Sequence, residues 1–218
     1  MIKNHLRQLG TWLTDLVFPP CCNSCGRVDT LWCDSCLVEL QRLPLQPIYS
    51  NLQHLDGCAA TTEHTGILQA AIHAFKYLDQ QQLAHPLADR LGIALQETQW
   101  TYDSIIPVPL HISRFKERRY NQSEVLCNAL MGVTGQPVKS GVLMRHRHTP
   151  PQVGLNRQQR LINVADAFIA TQPLTGERIL LIDDVQTTGA TLQACAQAMR
   201  NSGANRIYAL TVTAAPLS

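Results

Sequence analysis

The stretch from Ile179 to Leu192 reads Ile-Leu-Leu-Ile-Asp-Asp-Val-Gln-Thr-Thr-Gly-Ala-Thr-Leu, and it decides the fold of this chain. It begins with four branched apolar residues, Ile179 to Ile182, which is typical of a strand buried on both faces. Two carboxylates follow at the carboxyl end of that strand, and a turn of small residues comes next. From Leu192 to Arg200 the apolar spacing becomes that of a helix. The stretch therefore predicts a strand, an acidic pair and a short loop that opens a helix.

The turn after the strand has the composition of a phosphate-binding loop. Backbone N–H groups in such a turn, and in the first turn of the helix, are unpaired and carry the positive end of the helix dipole. Glycine lets the backbone approach a ligand closely, and the threonine hydroxyls add donors. We expect the phosphate to be held by Thr187, Thr188, Gly189, Ala190 and Thr191.

The acidic pair, Asp183 and Asp184, offers the opposite chemistry. Carboxylates are acceptors, and they suit the vicinal hydroxyls of a sugar or a hydrated Mg²⁺. A phosphorylated ribose would satisfy both the loop and the acids. The alternative interpretation is an ordinary strand-to-helix turn with two solvated acids. A Walker-type nucleotide loop would need a lysine in the turn, and this stretch has none.

Residues 183–191 resemble the signature of type I phosphoribosyltransferases, which bind 5-phosphoribosyl 1-diphosphate (PRPP). The resemblance implies an α/β fold, with a mostly parallel sheet that carries helices on both faces. It also implies PRPP with Mg²⁺ as the ligand, and Asp183 and Asp184 as the catalytic residues if the chain is a transferase.

The composition fits a globular protein with a small appendage. The chain has 218 residues, of which 45% are hydrophobic, so it can bury a substantial core. The opening segment, Met1 to Phe18, has leucines at helical spacing interrupted by polar residues, which predicts an amphipathic helix rather than a membrane span or a secretory signal. We expect a cytoplasmic protein, in which the eight cysteines are metal ligands or buried thiols rather than disulfides.

Four cysteines near the amino terminus have the spacing of a tetrahedral Zn²⁺ site. Cys22 and Cys25 form one Cys-x-x-Cys pair, and Cys33 and Cys36 form a second pair seven residues later. Such a small module cannot bury a core of its own, so the metal would supply its folding energy. Cys21 is an adjacent fifth thiol that leaves the ligand set open, and free cysteines are the alternative.

The chain is expected to divide near residue 47, where a short helix predicted over Leu37 to Pro47 runs into a proline-containing linker. Residues 1–47 would form the helix and zinc module, and residues 48–218 the phosphoribosyltransferase-like domain. Lys76, at the end of a predicted helix, either approaches the ligand or is solvated. The remaining elements expected in the larger domain are strands at Gly57–Thr62, Ser104–Val108 and Arg206–Thr213 and helices at Gly66–Leu78 and Gln82–Glu97.

Positive charge is concentrated in residues 111–160. This segment has nine Lys or Arg residues against two acids, an excess of seven in a chain of net charge +2, so the rest is acidic by five. Because the segment follows a predicted strand, we expect it at the ligand-binding edge of the sheet. A diphosphate with Mg²⁺ fits this field, and so does a nucleic-acid backbone; a solvated basic face is the alternative.

Two sets of residues follow from that segment. The first set would bind the diphosphate and cover it, as a diphosphate loop and a hood above the site. We assign this role to Val108, Pro109, Leu110, Arg118, Arg119 and Arg145. In the second set, aromatic rings interleave with basic side chains and could stack the bases of single-stranded DNA. The candidates for DNA binding are Arg114, Phe115, Lys116, Tyr120, Arg147, Arg157 and Arg160. Residues 145–160 are expected to form a mobile cover rather than a regular element.

Taken together, the cysteines, the Pro-Val-Pro-Leu turn, the Arg-x-Tyr-Asn-Gln segment at Arg118 and the Asp-Asp-Val loop resemble the ComF family of bacterial competence proteins. The resemblance implies a phosphoribosyltransferase-like fold, an amino-terminal zinc finger and a role in the uptake or use of exogenous DNA. It also implies partners in the DNA-uptake machinery and a peripheral position at the inner membrane. One departure is Arg119, which stands where the family usually has glycine.

Three functions remain open at this point. The first is a ComF-like protein that binds PRPP and handles incoming single-stranded DNA. The second is a salvage or biosynthetic phosphoribosyltransferase that acts on a free base or an amine. The third is a non-catalytic adaptor whose zinc module and basic patch bind DNA or proteins.

Overall fold

A computed structural model describes residues 19–147 and 166–215 of the chain. The helix predicted over Met1 to Phe18 and most of the predicted cover lie outside these residues. The described strands are β1 Ile48–Tyr49, β2 Gly57–Glu63, β3 Ser104–Pro107, β4 Leu143–Arg145, β5 Phe168–Ala170, β6 Arg178–Gln186 and β7 Arg206–Ala214. The described α-helices are α1 Asp34–Arg42, α2 Gly66–Tyr77, α3 Ala84–Thr98, α4 Ile112–Arg118, α5 Gln122–Thr134 and α6 Ala190–Asn201.

The main sheet has the strand order β1-β2-β7-β6-β3. The pairs β2–β7, β7–β6 and β6–β3 are parallel, whereas the short edge strand β1 is antiparallel to β2. Strands β4 and β5 form a separate antiparallel pair. The predicted α/β class with a mostly parallel sheet is confirmed, and the predicted strand at Arg206–Thr213 pairs with the strand that contains Ile179 to Ile182.

The central strand β6 contributes to a core on each face of the sheet, because successive side chains of a strand point to opposite faces. Leu180 and Ile182 are fully buried in a core that includes residues of α2, α3 and α5. Ile179 and Leu181 are fully buried in a second core with residues of α6 and of the β4–β5 pair. Helices therefore cover both faces, as the continuous apolar run predicts.

The cysteine module packs into the first of these cores. Cys22 and Cys36 belong to the same buried cluster as Phe75 of α2. The Nδ2 atom of Asn23 donates a hydrogen bond to the backbone oxygen of Ala70, 2.8 Å away. The module and helix α2 are thus joined by apolar packing and by a specific polar contact, although a boundary between them near residue 47 stays a prediction.

Several predicted boundaries differ from the structure. Helix α6 begins at Ala190 rather than Leu192, because the left-handed Gly189, with φ of 75°, turns the chain directly into the helix. Helix α1 begins three residues before the predicted Leu37 and ends at Arg42, ahead of the linker prolines. The first residue of the predicted cover, Arg145, is also regular, since it pairs with Phe168 of β5.

Among the described residues, no helix combines the length and apolar character that crossing a bilayer requires.

Candidate functional site

A cleft of about 930 Å³ opens at the carboxyl ends of the parallel strands. It receives residues from the ends of β2, β3, β6 and β7 and from the loops that follow them, which is where open α/β sheets bind ligands. The predicted site residues that line the cleft are Val108, Pro109, Leu110, Arg114, Lys116, Arg118, Arg145, Asp183, Asp184, Thr187 and Thr191.

The acidic pair lies on the floor of the cleft, in the last part of β6. The Asp183 carboxylate accepts hydrogen bonds from the Ser123 hydroxyl, 3.0 Å away, and from the Asp184 backbone N–H, 2.9 Å away. Burial of the carboxylate, reinforced by the negative charge of Asp184, raises the pKa of Asp183 to about 7. Asp183 therefore holds a proton more tightly than an ordinary aspartate does.

Asp184 has a fixed partner on helix α2. The Nζ atom of Lys76 lies 2.8 Å from the Asp184 Oδ1 atom, and both side chains line the cleft. Of the two positions considered for Lys76, the structure shows a side chain that lines the cleft rather than one that is merely solvated. A lone lysine at a helix end gives no sequence signal for this contact, because the sheet crossover that brings α2 beside β6 spans more than a hundred residues.

The predicted phosphate loop adopts a tight turn that opens helix α6. Gly189 is the amino-terminal cap residue, and no side chain caps the helix there. The Thr188 hydroxyl accepts a hydrogen bond from the Ala190 N–H at 3.4 Å. Thr187 and Thr191 face the cleft, whereas Gly189 and Ala190 are buried behind it. The structure therefore brings the uncapped helix start and the acidic pair to the same cavity.

The basic wall of the cleft comes mainly from helix α4 and strand β4. Arg118 donates through Nη1 to the Gln122 Oε1 atom and through Nη2 to the Tyr77 hydroxyl, each at 3.0 Å. Its guanidinium carbon also lies 4.9 Å from the centre of the Tyr77 ring, within the range of a cation–π contact. The Arg145 guanidinium carbon lies 5.4 Å from the Phe168 ring centre. Both arginines are therefore held in place by aromatic side chains.

Two buried donors in this wall have no partner in the described part of the chain. They are the Nε atom of Arg118 and the Nε2 atom of Gln122, and both residues line the cleft. A buried donor without an acceptor is costly, so a ligand that supplies acceptor oxygens here gains from the arrangement.

Asn121 explains the shape of the Tyr-Asn-Gln segment. Its side chain accepts a hydrogen bond from the Ser123 N–H at 3.1 Å and so caps helix α5. The same amide donates to the Val108 carbonyl at 3.0 Å, which fixes the turn after β3. This one side chain therefore positions both Ser123 and the Val108 turn against Asp183.

Arg119 lies outside the cleft. It is exposed and adopts the left-handed conformation, with φ of 67°, as the residue that ends helix α4. This conformation favours glycine, the residue that the family usually has at this position. Arginine in its place therefore strains the backbone.

The residues predicted to bind DNA are only partly brought together. Phe115 is 44% exposed and lies in sequence between Arg114 and Lys116, which both line the cleft. Arg114 is paired with Glu117 at 2.7 Å, and Arg147 is exposed at the end of the first described segment. Arg157 and Arg160 lie outside the described residues.

Tyr120 does not offer a free ring for stacking. Its ring packs against Phe75, with the ring centres 5.9 Å apart, and its hydroxyl donates a hydrogen bond to the Phe75 carbonyl. Burial raises the pKa of Tyr120 to about 12. The Tyr120 ring, which was predicted to stack on bases, thus packs against helix α2 instead.

His64 and Ser123 were not predicted as site residues. His64 directly follows β2, and its Nδ1 atom lies 2.8 Å from the Thr213 hydroxyl. Burial, helped by the positive charge of Lys76, lowers the pKa of His64, so the imidazole is neutral near pH 7. The available signal was its position, since the first polar residue after a parallel strand lies at the edge where ligands bind.

The four predicted zinc ligands converge at the amino-terminal module. The sulfur atoms of Cys22, Cys25, Cys33 and Cys36 all lie within 4.8 Å of one another, and Cys21 is not part of this group. The Sγ atoms of Cys25 and Cys33 are 3.6 Å apart. Tetrahedral ligands at the usual Zn–S distance are separated by about 3.8 Å, so the cluster fits a metal ion of that kind.

Local hydrogen bonds prepare the Cys22 thiol for this role. Burial by itself raises the pKa of Cys22, but N–H groups of Cys25, Cys33 and Ser24 donate to its sulfur and lower the pKa to about 6. Burial raises the pKa of the Cys36 thiol to about 12. A cation in the centre of the cluster would compensate the cost of ionising these buried thiols.

Comparison with known proteins gives a consistent set of relatives, although no family model matches the chain. Competence protein F of Haemophilus influenzae is 32% identical over 148 residues, which are 64% of this chain and 65% of the relative. DNA utilization protein YhgH of Salmonella typhimurium is 31% identical over 153 residues, 66% of each chain. Its counterpart in Escherichia coli K12 is 27% identical over 84% of both chains. The match thus spans just under two thirds of the first two relatives.

Solved structures with a similar arrangement are phosphoribosyltransferases. Glutamine PRPP amidotransferase of B. subtilis, complexed with ADP and GMP, matches 64% of this chain and 30% of its own, with 17% identity and a TM-score of 0.44. Purine phosphoribosyltransferase of Pyrococcus horikoshii matches 59% of this chain and 80% of its own, with 16% identity and a TM-score of 0.37. The likeness to these structures is limited to the arrangement of the fold.

Proposed function

We propose that this chain, a member of the ComF family of competence and DNA-utilisation proteins, binds PRPP with Mg²⁺ in the cleft and acts in the uptake and use of exogenous single-stranded DNA. The chain spans just under two thirds of the length of Competence protein F and of the Salmonella YhgH protein, so the activity of the whole protein is part of this proposal. Partners in the DNA-uptake machinery, and a cytoplasmic position at the inner membrane, belong to the same proposal.

One observation supports the ligand above all others. The uncapped start of helix α6 and the carboxylates of Asp183 and Asp184 share one cavity with the guanidinium groups of Arg118 and Arg145. A 5′-phosphate suits the helix start, vicinal ribose hydroxyls suit the carboxylates, and a diphosphate suits the arginines. PRPP carries these three groups in that order, so each part of the cavity has a chemical counterpart on the ligand.

The roles of the chain's own residues follow from this placement. Thr187, Thr191 and the first N–H groups of α6 would hold the 5′-phosphate. Asp183 and Asp184 would hold the ribose hydroxyls, and Mg²⁺, when bound, would neutralise charge on the diphosphate. Arg118, with Gln122 beside it, would meet the diphosphate oxygens through donors that have no partner among the described residues. These contacts are mostly matters of position and charge.

Calorimetry of the purified full chain with PRPP and Mg²⁺ tests this ligand. We expect saturable heat from the wild type and none from Asp183→Asn with Asp184→Asn. The control is Asp103→Asn, which removes a carboxylate whose Oδ1 atom pairs with Arg178 at 2.5 Å, away from the cleft. Equal binding by the double variant would contradict the proposal.

The link to DNA rests on the surface beside the cleft. Phe115 and Lys116 offer an exposed ring and positive charge, the combination that suits a single strand. We expect a fluorescent oligonucleotide to bind, with an affinity that changes when PRPP and Mg²⁺ are added at constant salt. The control variant Arg178→Gln removes an exposed cation elsewhere. If neither PRPP nor Lys116→Gln changed the affinity for the oligonucleotide, the cleft and its surroundings would have no part in DNA binding.

Transfer of the phosphoribosyl group is a second candidate, favoured by His64. This neutral imidazole lines the cleft with the acidic pair, so it could accept the proton that an attacking amine loses when it displaces the diphosphate. Diphosphate release measured over a set of bases and amines decides whether the bound PRPP is consumed. No release with any acceptor would leave binding, and hence a sensing role, as the function of the cleft.

The third part of the proposal is a structural Zn²⁺ in the four-cysteine cluster. The sulfur separations and the mostly buried setting suit a closed site with four thiolates. Metal analysis of protein purified without chelator tests it, and we expect one zinc per chain in the wild type and in Cys21→Ser. Absence of zinc from both would contradict this assignment.

A further inference from the structure

Lys76 is held more rigidly than a lysine at a helix end usually is. The residue before it, Phe75, is fully buried, and its carbonyl accepts a hydrogen bond from the Tyr120 hydroxyl. The residue after it, Tyr77, accepts a hydrogen bond from Arg118 through its hydroxyl at 3.0 Å. The last turn of α2 is therefore clamped by the connection between α4 and α5, and the Lys76 side chain has a fixed origin.

The ion pair that Lys76 forms is shielded from solvent. Its Nζ atom lies 2.8 Å from the Asp184 Oδ1 atom, with side-chain exposures of 18% for the lysine and 7% for the aspartate. Exposed pairs contribute little because water competes for both charges, whereas shielded pairs interact strongly and are costly to separate. The contact is thus a persistent feature of the cleft floor.

One of the two carboxylates on the cleft floor is already compensated by the chain itself. The ammonium group of Lys76 offsets the charge of Asp184 directly. Sites that bind free Mg²⁺ or Mn²⁺ need uncompensated carboxylates. An ammonium group 2.8 Å from the Asp184 carboxylate opposes such binding.

We propose that Lys76 is the built-in counterion of Asp184, which prevents the acidic pair from binding a free divalent cation and makes the cleft accept that cation only together with an anionic sugar diphosphate. This inference rests on the proposed PRPP function. It adds that Lys76 compensates the charge of Asp184 before the ligand binds, and that the cation arrives only with the ligand. The phosphates of the ligand would bring the negative charge that the cation needs. Lys76 is a positioning residue in this scheme, because it acts through Asp184.

The test uses Mn²⁺ as the probe, in the absence of any sugar phosphate, with bound and free ion separated by electron paramagnetic resonance. We expect Lys76→Met to bind Mn²⁺ at least tenfold more tightly than the wild type. Adding Asp184→Asn to Lys76→Met should remove this gain, and Lys76→Arg should resemble the wild type. A gain below twofold for Lys76→Met would overturn the proposal.

Lys116 provides the matched control. It is an exposed cation that lines the same cleft, but it makes no described contact with Asp184. Lys116→Met should leave Mn²⁺ affinity within twofold of the wild type. If it instead tightens binding as much as Lys76→Met does, the general field of the cleft rather than the specific ion pair excludes the cation, and the proposal fails.

A second measurement covers the case in which Lys76→Met does not fold. Acylation of lysines in the full chain, read by peptide mass spectrometry, should be several times faster at Lys76 in Asp184→Asn than in the wild type, with Lys116 unchanged. Equal rates at Lys76 would overturn the ion pair. The PRPP calorimetry remains separate: failure there with a positive Mn²⁺ result removes the ligand, whereas the reverse removes only the role of Lys76.

Discussion

Gly189 lies so close to Leu52 that a Cβ atom on the glycine would stand 2.4 Å from the Leu52 Cδ1 atom. Leu52 is buried in the segment between β1 and β2, and that segment is tied to α6 by the hydrogen bond from the Gln53 N–H to the Gln193 side chain at 3.1 Å. The start of helix α6, which would hold the phosphate, is therefore shaped by contact with a distant part of the chain.

The first prediction concerns this contact. Gly189→Ala should lower the free energy of unfolding by about 2–4 kcal/mol, because the new methyl group meets Leu52 and the backbone is left-handed. PRPP affinity should fall at least tenfold as the loop shifts. Chemical denaturation and calorimetry measure the two effects.

Gly176→Ala is the control for Gly189→Ala. Its φ is 77°, yet a Cβ atom there meets no heavy atom within 4 Å, so only the backbone cost of about 1 kcal/mol remains. PRPP binding should be unchanged. Adding Leu52→Ala to Gly189→Ala should restore part of the affinity; no recovery would mean that the backbone conformation alone is responsible.

The second prediction concerns removal of the metal. Because Cys22 and Cys36 share a core with Phe75, loss of the metal should destabilise the whole domain rather than the module alone. We expect strong chelation, or Cys36→Ser, to lower Tm by about 10 °C, which corresponds to roughly 3 kcal/mol. Differential scanning calorimetry measures it. Cys21→Ser, whose thiol lies outside the cluster, should leave Tm unchanged.

The third prediction concerns pH and Asp56, which accepts hydrogen bonds from the Ile207 N–H at 2.8 Å and from Arg206 at 2.7 Å. Burial opposes ionisation, but these donors and Arg200 hold the pKa of Asp56 below its usual value. A lowered pKa gives stability that is present above the unfolded value, near 4, and is lost as pH falls through the folded value.

Asp56→Asn should therefore lower the free energy of unfolding by about 1–3 kcal/mol at pH 7, and its difference from the wild type should shrink steadily below pH 4. Urea denaturation at a series of pH values measures this. Asp103→Asn removes an exposed pair with Arg178 and should cost less than about 1 kcal/mol. A difference for Asp56→Asn that is constant over pH would assign its effect to packing instead of charge.

The fourth prediction concerns Arg119. Since its φ is 67°, Arg119→Gly should raise the free energy of unfolding by about 0.5–1 kcal/mol, the released strain exceeding the added entropy of the unfolded chain. Arg119→Ala keeps the strain and should not stabilise. PRPP affinity should stay within twofold in both variants, because Arg119 is not among the described residues that line the cleft. A loss of affinity in both would bring Arg119 back into the diphosphate site.

The fifth prediction concerns the buried Gln122 amide. Its Nε2 atom has no partner among the described residues, so Gln122→Met should cost little stability, within about 1 kcal/mol of the wild type. PRPP affinity should nevertheless fall about tenfold, because a donor to the diphosphate and an acceptor for Arg118 are both lost. Calorimetry and denaturation on the same preparation measure the two. Gln197→Met, on the exposed part of α6, should change neither.

The local sequence predicted those features that neighbouring residues impose on one another. The apolar run before Asp183 predicted a strand buried on both faces because alternating side chains of a parallel strand both need apolar neighbours. The small residues at 187–191 predicted the loop, and the two Cys-x-x-Cys pairs predicted a cluster of four thiols. In each case the interacting groups are close in sequence, so their spacing already fixes their geometry.

Only the tertiary structure decided which distant groups meet. Lys76 reaches Asp184, Ser123 reaches Asp183, and Leu52 closes against Gly189 because the strand order brings the ends of β2, β7, β6 and β3 to one edge of the sheet. For the same reason, the Tyr120 ring packs against Phe75, although its sequence context predicted that it would stack on bases. Sequence spacing fixes which face of its own element a side chain occupies, but the partner on another element depends on how the strands are ordered and how the helices cross over them.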